Sequence, residues 1–312
     1  MKFRSEYRFT DSYPAISHGE GVYLSGSCFS ENFTCLLSQY GFPVLSNSHG
    51  IIYNPISLLD SLEDTVSGKV YTKDDLLQTG GRWISLRHHG QFSHADPGIV
   101  LEEINRNILR HRQFLQSARH LFITFGTAWI YTHQVSGDTV ANCHKLPSSE
   151  FEKNLVPVHD IVEKWVTFLD RLKNYNKNLN ACFTVSPVKH LRDGIHENQL
   201  SKSTLLLAIN EINRRTGTTY FPAYELVTDD LRDYRFYEKD LAHPNSLAIE
   251  YVWERFAEVF FRSGTRTVME QVNRYRQLEG HRPLKEEEAE KHHEKVRQAR
   301  ESLLEKYPYL LL

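Results

Sequence analysis

Short apolar runs of strand length alternate along this chain with longer segments of helical periodicity, and this alternation constrains the fold most. The apolar runs predict five β-strands, at residues 22–25, 43–46, 120–125, 181–185 and within 219–227. Strands that alternate with helices are typical of parallel βαβ units, because each helix returns the chain to the same end of the sheet. We therefore predict an α/β protein built on a parallel sheet.

Five helices are predicted beside these strands, at residues 31–40, 55–63, 101–117, 158–175 and 202–215. The helix at 158–175 has the clearest pattern, because its apolar residues recur at helical spacing with charged residues on the opposite face. Its apolar residues are therefore predicted to lie in the core: Ile161, Trp165, Phe168 and Leu172.

Two segments depart from this alternation. Residues 129–143, WIYTHQVSGDTVANC, place a Ser-Gly-Asp turn between two β-prone runs, which predicts a hairpin that leans over a site at the end of the third strand. Beyond Gly264 the sequence becomes a charged helix with a thin apolar stripe. We divide the chain into an α/β domain, 1–263, and a helical extension, 264–312. Packing of the extension on its own domain is favoured over a homo-oligomer formed through it.

The charge balance limits the class of partner. The chain has 37 basic and 39 acidic residues among 312, so it lacks the excess of positive charge that favours nucleic acid or an anionic membrane. A small or uncharged molecule is the expected partner. No apolar stretch reaches the length of a signal peptide or of a membrane span, and we predict a cytoplasmic protein.

The cysteines and histidines predict neither a metal nor another cofactor. Cys28, Cys35, Cys143 and Cys182 form no C-x-x-C pair, so the thiols are expected to be reduced and one of them is free to react. A loop contains three histidines and an aspartate, but their spacing matches no metal-ligand motif. These loop residues are His88, His89, His94 and Asp96.

The stretch YLSGSCFSEN, residues 23–32, places Ser27 and Cys28 between a predicted strand and a predicted helix. Open α/β folds bind ligands at this edge of the sheet. The positive end of the helix dipole also stabilises a thiolate or a developing oxyanion, and Gly26 permits a sharp turn. Considered alone, the corner favours a structural interpretation, in which Ser27 caps the helix and Cys28 is a small buried side chain.

A second segment, DYRFYEKDLAHPN at 233–245, changes this balance. The spacing of Asp240 and His243 allows a tight turn to hold the carboxylate against one imidazole nitrogen, which leaves the other nitrogen for a nucleophile. The D-x-x-H spacing is common by chance, so its position after the last strand carries the argument. The aromatic residues before Asp240 are interpreted as packing that supports the turn, with stacking on a sugar as the alternative.

The sequence resembles the GSCFA-domain proteins, a branch of the SGNH or GDSL-like hydrolases. The resemblance begins with GSCFSEN at 26–32 and continues, in order, through five further blocks between about residues 15 and 260. These blocks are HGIIYNP (49–55), TFGTAWIY (124–131), NCHKLP (142–147), SPVKHLRDG (186–194) and DLAHP (240–244).

This resemblance implies a three-layer α/β/α sandwich with five parallel strands, in which residues 1–263 form the catalytic domain. It also implies ester hydrolysis or acyl transfer through a covalent intermediate. The parent superfamily carries Gly-Asp-Ser, with the nucleophile two residues after the Gly, so Cys28 takes the nucleophile's place and Ser27 that of the Asp. We favour Cys28 as nucleophile, and attack by Ser27 in a re-registered turn stays open. His243 is then the general base, held by Asp240.

The tetrahedral intermediate also needs hydrogen-bond donors. Parent enzymes use the nucleophile's own N–H, a Gly after the second strand and an Asn in a Gly-x-Asn block. Gly50 fits the second donor, but the third is missing because the block here is Gly-Thr-Ala, with Thr127 at its centre. We rank Asn142 on the hairpin as its substitute ahead of Asn54, for which helix capping is the favoured interpretation.

The remaining candidate residues are predicted to contact the substrate, an O-acyl ester in which an O-acetyl carbohydrate is one class. Candidates for substrate binding are Asn54, Thr127, His144, His190 and Arg192. For His144 the alternative is a hydrogen bond from the hairpin to the core. For Arg192 it is an ion pair with Asp193 or Glu197. The competing class of function is an inactive ligand-binding module that keeps the fold.

Overall fold

The structure is a computed structural model, and it describes residues 5–10, 12–283 and 286–312. The strands are β1 (Val22–Gly26), β2 (Val44–Ser46), β3 (Leu77–Thr79), β4 (Arg82–Ile84), β5 (His120–Phe125), β6 (Trp129–His133), β7 (Thr139–Val140), β8 (Phe151–Leu155), β9 (Asn180–Val185) and β10 (Thr219–Tyr220). The α-helices are α1 (Cys28–Gln39), α2 (Pro55–Ser67), α3 (Pro97–Ser117), α4 (Val158–Tyr175), α5 (Ile195–Thr216), α6 (Ala223–Glu225), α7 (Ser246–Phe260), α8 (Ser263–Gly280) and α9 (Glu286–Lys306).

The central sheet contains five parallel strands in the order β10-β9-β5-β1-β2. All five predicted strands are therefore confirmed, although the last is only two residues long. From β1 the chain moves to β2 on one side and later to β5 on the other. The carboxyl ends of β1 and β5 thus flank the point at which the strand order reverses, where open α/β sheets bind their ligands.

Helices cover both faces of this sheet, which confirms the predicted three-layer α/β/α sandwich. Side chains along β1 alternate between the two faces, since Tyr23 joins one core cluster and Val22 and Leu24 join the other. Helices α2, α4 and α5 pack on the first face, and α1 and α7 pack on the second. The four core residues predicted in α4 are all buried.

Helix α4 has the predicted bounds, but three helices begin earlier than predicted, and one of them is α3, which begins at Pro97. Helix α1 begins at Cys28 and α5 begins at Ile195. Their first turns are mostly polar, so apolar periodicity does not reveal them. As a result, Cys28 lies in the first turn of α1 and not before it.

The hairpin predicted at 129–143 is present as β6 and β7, and β8 pairs with the other edge of β6 to make a three-stranded antiparallel sheet. Strand β8 was not predicted, because its FEKNL sequence has three exposed residues at its centre. The hairpin is attached to the domain through the Ala141 amide, which donates a 2.8 Å hydrogen bond to the Leu86 carbonyl.

The C-terminal extension forms two helices, α8 and α9, that pack on each other and on the α/β domain. Met269 of α8 joins the core cluster of α1 and α7, and Leu303 of α9 packs against Val272 of α8. The chain end returns to the domain, where the Leu311 amide donates to the Gly41 carbonyl at 3.1 Å. Oligomer formation through this extension stays a prediction. Within the described ranges, no helix has the length and apolar character needed to cross a membrane.

Candidate active site

The turn from β1 into α1 depends on Gly26. Its φ of 140° lies in the region that favours glycine, and a Cβ atom there would overlap the carbonyl of Thr124 on the paired strand. The close approach holds the first turn of α1 against the end of β5. The Ser30 hydroxyl strengthens this attachment by donating to Thr124 Oγ1 at 2.8 Å.

Ser27 and Cys28 have different roles in this corner. Ser27 is only 1% exposed, and its Oγ caps α1 by accepting from the Phe29 amide at 3.3 Å. Cys28 is the first residue of α1 and is half-buried, so it remains the more accessible of the two nucleophile candidates. The capping interpretation is therefore correct for Ser27, whereas Cys28 is not sealed in the core.

Opposing influences act on the Cys28 thiol. Burial raises its pKa above the ordinary value, and the carboxylate of Glu31 adds to the rise. The amides of Cys28 and Phe29 and the ammonium of Lys202 act in the opposite direction, but burial outweighs them. The thiolate therefore depends on these few compensating groups.

The turn predicted for the D-x-x-H segment is present. Asp240 Oδ2 lies 2.6 Å from His243 Nδ1, while Asp240 Oδ1 accepts from the amides of Ala242 at 2.9 Å and His243 at 3.0 Å. These hydrogen bonds, the His243 amide first, lower the pKa of Asp240 to about 2. With Nδ1 donating to the carboxylate, Nε2 of the neutral ring is the free acceptor.

A second loop holds this turn in place. The Lys189 amide donates to the Ala242 carbonyl at 3.1 Å, and Lys189 Nζ lies 3.8 Å from the ring centroid of Tyr237 and 4.8 Å from that of Tyr234. Since Lys189 follows β9, these contacts attach the His243 turn to the carboxyl edge of the sheet. The aromatic run therefore supports the turn, in agreement with the favoured interpretation.

His190 lies beside Tyr53 in this region, with their ring centroids 5.5 Å apart. Its amide donates to Asn198 Oδ1 at 2.9 Å, while its buried Nε2 has no hydrogen-bond partner among the residues that the structure describes. Burial lowers the pKa of His190 to about 4, and the charges of Lys202 and His243 contribute to the shift. His190 thus links the electrostatics of the His243 turn to those of Lys202.

Lys202 is a site residue that the sequence analysis missed. It lies on α5, its residue is 1% exposed, and its Nζ donates to the carbonyls of Gly126 and Ser186, both at 2.7 Å. Burial lowers its pKa to about 7, and Cys28 acts to raise it. The available signal was its spacing, because Lys202 occupies the same helix face as the buried Leu205 and Ile209.

The predicted nucleophile and base are not in direct contact. Within the part of the chain that the structure describes, no hydrogen bond joins Cys28 Sγ to the His243 ring. The two residues occupy the same edge of the sheet. Lys202 interacts electrostatically with Cys28, and His190 interacts electrostatically with His243. Hydrogen bonds of catalytic groups commonly tighten only when a substrate is bound.

Two of the predicted donors are engaged in local structure. The Gly50 amide donates to the Asn47 carbonyl at 2.9 Å, which leaves no free N–H there for an oxyanion. Asn54 caps α2, since its Oδ1 accepts from the amides of Ile56 at 3.1 Å and Ser57 at 2.8 Å. The favoured interpretation of Asn54 as a helix cap is what the structure shows.

Asn142 remains a candidate donor. Its Oδ1 accepts from the His144 amide at 2.8 Å, which orients the side chain. Among the described residues its Nδ2 group has no hydrogen-bond acceptor, and a Cβ added at Gly90 would lie 3.7 Å from it. Asn142 therefore faces the loop that carries Gly90 and keeps its amide protons available.

Two other predicted substrate-binding residues, Thr127 and His144, are engaged in internal hydrogen bonds. Thr127 Oγ1 is used internally, at 3.1 Å from Ser201 Oγ and as acceptor for the Trp129 amide at 3.2 Å. His144 Nε2 lies 2.8 Å from the Ser85 carbonyl, which is the hairpin-to-core bond of the alternative interpretation.

Among the described residues, Arg192 forms no ion pair with either predicted partner, Asp193 or Glu197. Asp193 pairs instead with Lys153, and the Arg192 side chain is exposed. In the described ranges no three His, Cys, Asp or Glu side chains form a group that could hold a metal ion.

The family model described as the GSCFA family matches residues 21–256. No curated protein matches the chain. An acetyl xylan esterase from the rumen bacterium Butyrivibrio proteoclasticus is similar in structure, with 11% identity, a TM-score of 0.41, and coverage of 78% of this chain and 64% of its own. The chain thus spans less than two thirds of that protein.

A carbohydrate esterase family 2 enzyme with a carbohydrate-binding domain, from Corynascus thermopiles (Myceliophthora fergusii), is also similar. It is 11% identical, has a TM-score of 0.37, and the match covers 80% of this chain and 69% of that one. Both TM-scores lie below 0.5, so neither similarity bears on the chemistry of the site.

Proposed function

Because this chain belongs to the GSCFA family, with a thiol and a preorganised Asp-His pair at one sheet edge, we propose that it cleaves O-acyl esters through a covalent acyl-enzyme on Cys28. The observation that carries the proposal is the 2.6 Å contact between Asp240 and His243. This contact fixes the ring tautomer that a general base needs. The contact lies in a loop at the edge of the sheet where α1 begins.

The proposed first step forms a thioester. His243 Nε2 accepts the proton of the Cys28 thiol, and Sγ attacks the ester carbonyl carbon while the carbonyl π electrons move to oxygen. The Cys28 amide lies at the start of α1, where N–H groups have no intrahelical acceptor, and it donates to this oxyanion. Asn142 Nδ2 is the second donor that we propose.

Collapse of the tetrahedral intermediate breaks the ester C–O bond. The leaving alkoxide takes the proton from His243, which leaves a neutral imidazole and a Cys28 thioester. Water, deprotonated by His243, then attacks the thioester carbonyl, the C–S bond breaks to release the carboxylic acid, and His243 returns the proton to the Cys28 sulfur. If an alcohol enters in place of water, the same site carries out acyl transfer. We propose an O-acyl group, with O-acetyl carbohydrate as the first class to assay.

A chromogenic short-chain acetyl ester tests the proposal. We expect Cys28→Ala to abolish the enzyme-dependent release of the alcohol and His243→Ala to slow it about 10³-fold. Matched controls are Cys35→Ala, an exposed thiol on the same helix, and His196→Ala, an exposed imidazole on α5. Activity that survives Cys28→Ala but not Ser27→Ala would reassign the nucleophile to Ser27, in spite of its capping bond.

The second candidate is a ligand-binding module without turnover. Two observations favour it: the Gly50 amide is already engaged, and Cys28 makes no hydrogen bond to His243 among the described residues. This function predicts saturable binding of an acylated carbohydrate to the full chain and no ester cleavage by any form. Equal affinity in the Cys28→Ala variant would support binding without covalent chemistry.

A further inference from the structure

Lys202 is buried at the candidate site, and among the described residues its amine has no carboxylate partner. In the described part of the chain, its Nζ donates to two neutral acceptors, the carbonyls of Gly126 and Ser186, and the Tyr224 ring centroid lies 5.7 Å away. Buried lysines are ordinarily paired with an acid, because an unpaired charge in the interior is costly. A lysine retained in this position without such a pair requires another explanation.

The geometry places Lys202 next to the Cys28 corner. Gly26 pairs with Thr124 near the end of β5, and Ser30 in the first turn of α1 donates to Thr124 Oγ1. Gly126, two residues further along the same strand end, presents its carbonyl to Lys202 Nζ. Both the first turn of α1 and the ammonium group are therefore anchored to one short segment of β5 and its extension.

We propose that Lys202 is a positioning residue whose ammonium group stabilises the thiolate of Cys28 by charge, across the carboxyl ends of β5 and β9. The inference rests on the proposed use of Cys28 as nucleophile. No bond forms to Lys202: the thiol proton leaves Sγ for His243 Nε2 or water, and the ammonium remains protonated beside the resulting anion. When the thiolate forms, its negative charge compensates the buried ammonium charge of Lys202.

The other charged and titratable groups around the pair act in different directions. Glu31 on α1 opposes the thiolate, and Tyr53, before α2, is itself affected by the charges of Cys28 and Glu31. His190 is kept neutral by burial and by Lys202. The side-chain charge that favours the Cys28 thiolate is that of Lys202. In return, the charge of Cys28 acts to raise the pKa of Lys202.

Alkylation of Cys28 by iodoacetamide, followed by peptide mass spectrometry between pH 6 and pH 9, tests the proposal without any ester. We expect Lys202→Met to lower the alkylation rate at pH 7.5 about tenfold, the effect of a thiol pKa raised by about one unit. The matched control is Lys164→Met, the same substitution at an exposed lysine on α4, which we expect to leave the rate unchanged.

Cys182 reports in the same experiment whether Lys202→Met is folded, because this thiol is 4% exposed and lies in the core. A Lys202→Met protein that protects Cys182 and alkylates Cys28 at the wild-type rate would overturn the proposal. If esterase activity is absent but the tenfold effect is present, the proposed function fails and the role of Lys202 stands.

A second measurement leaves Lys202 in place, so that loss of folding in Lys202→Met does not end the test. Coupling between two sites is reciprocal, so removal of the thiol must change the titration of the amine. We expect the NMR titration of the Lys202 Cε signal to shift to lower pH in Cys28→Ser than in the wild type. An identical Lys202 titration in the two proteins would contradict the proposal.

Discussion

Among the described residues, two histidine rings contact aspartate carboxylates, and the two pairs differ in their exposure. His243 lies 2.6 Å from Asp240 on a loop, with half of its side chain exposed. His49 lies 3.4 Å from Asp64 and 2.9 Å from Ser48 Oγ, a Ser-His-Asp arrangement, but its side chain is fully buried. A Ser-His-Asp arrangement is thus not an active site unless a substrate can reach it.

The surroundings of His49 show what the buried pair does instead. Asp64 also accepts from the Tyr71 hydroxyl at 2.6 Å and pairs with Arg87 at 3.4 Å, while the His49 ring stacks on His88 with centroids 4.2 Å apart. Burial keeps the pKa of His49 below its ordinary value. At Asp64 burial acts to raise the pKa, but the contact with His49, the Tyr71 hydrogen bond and the charge of Arg87 outweigh it, so the pKa is lowered. This network joins β2, α2 and the β4–α3 loop, and we interpret it as structural.

The comparison predicts its largest effect for His243→Ala. We expect kcat/KM for a chromogenic acetyl ester to fall about 10³-fold, the usual contribution of a general acid-base residue. The melting temperature should stay close to that of the wild type, because the ring is exposed. A variant that loses activity only by unfolding would remove the distinction between the two histidines.

His49→Ala should have the opposite signature. We expect the free energy of unfolding to fall by about 3 kcal/mol, because the change leaves a cavity and deprives Asp64 and Ser48 of a buried partner. Urea unfolding measures this loss, and kcat per folded molecule should remain within about twofold of the wild type. A stable His49→Ala protein without activity would identify the buried triad as the active one.

The buried histidines also predict the response of stability to acid. Burial lowers the pKa of His18 to about 4 and that of His111 to about 3, against about 6.5 in the unfolded chain. Between these values the unfolded state binds protons that the folded state does not. The free energy of unfolding should therefore fall as the pH drops below about 6.5, by up to about 1.4 kcal/mol per pH unit for each such histidine.

The His111→Gln variant sharpens this prediction. Glutamine keeps an acceptor for the Tyr23 hydroxyl, which lies 2.9 Å from His111 Nδ1, but does not titrate. Unfolding curves at pH 4.5, 5.5 and 6.5 should give a shallower pH dependence for this variant than for the wild type. Parallel curves would show that His111 does not contribute.

Asp240→Asn should lower activity less than His243→Ala does. The amide keeps the turn but no longer accepts a hydrogen bond at both side-chain positions, so the His243 tautomer is held less firmly. Because the Asp240 side chain is half exposed, we expect kcat/KM to fall about tenfold with little change in KM. A loss as large as that of His243→Ala would mean that the carboxylate does more than orient the ring.

Much of the fold was predictable because it depends on local pattern. The five strands and α4 follow from apolar runs and helical periodicity, whereas the polar first turns of α1 and α5 lack that signal. The exposed strand β8 was missed because only Phe151, its first residue, is buried. Patterns of apolar residues thus locate the core elements better than the elements at the edge.

The same limit applies to the site. The Asp240–His243 contact was predictable because the two residues are close in sequence. The role of Lys202 was not, since its acceptors, Gly126 and Ser186, are 76 and 16 residues away. Nor could sequence show that the Gly50 amide is taken by Asn47, because the hydrogen bond depends on the detailed shape of the turn.

Mass spectrometry of the acid-quenched protein during turnover of an acetyl ester is the most direct test that Cys28 forms the covalent intermediate. We predict an added acetyl group on the peptide that contains Cys28, which disappears when the ester is exhausted, with no such addition at Cys35 or Cys143. An acetyl group on Ser27, or turnover with unmodified Cys28 at every time point, would contradict the mechanism.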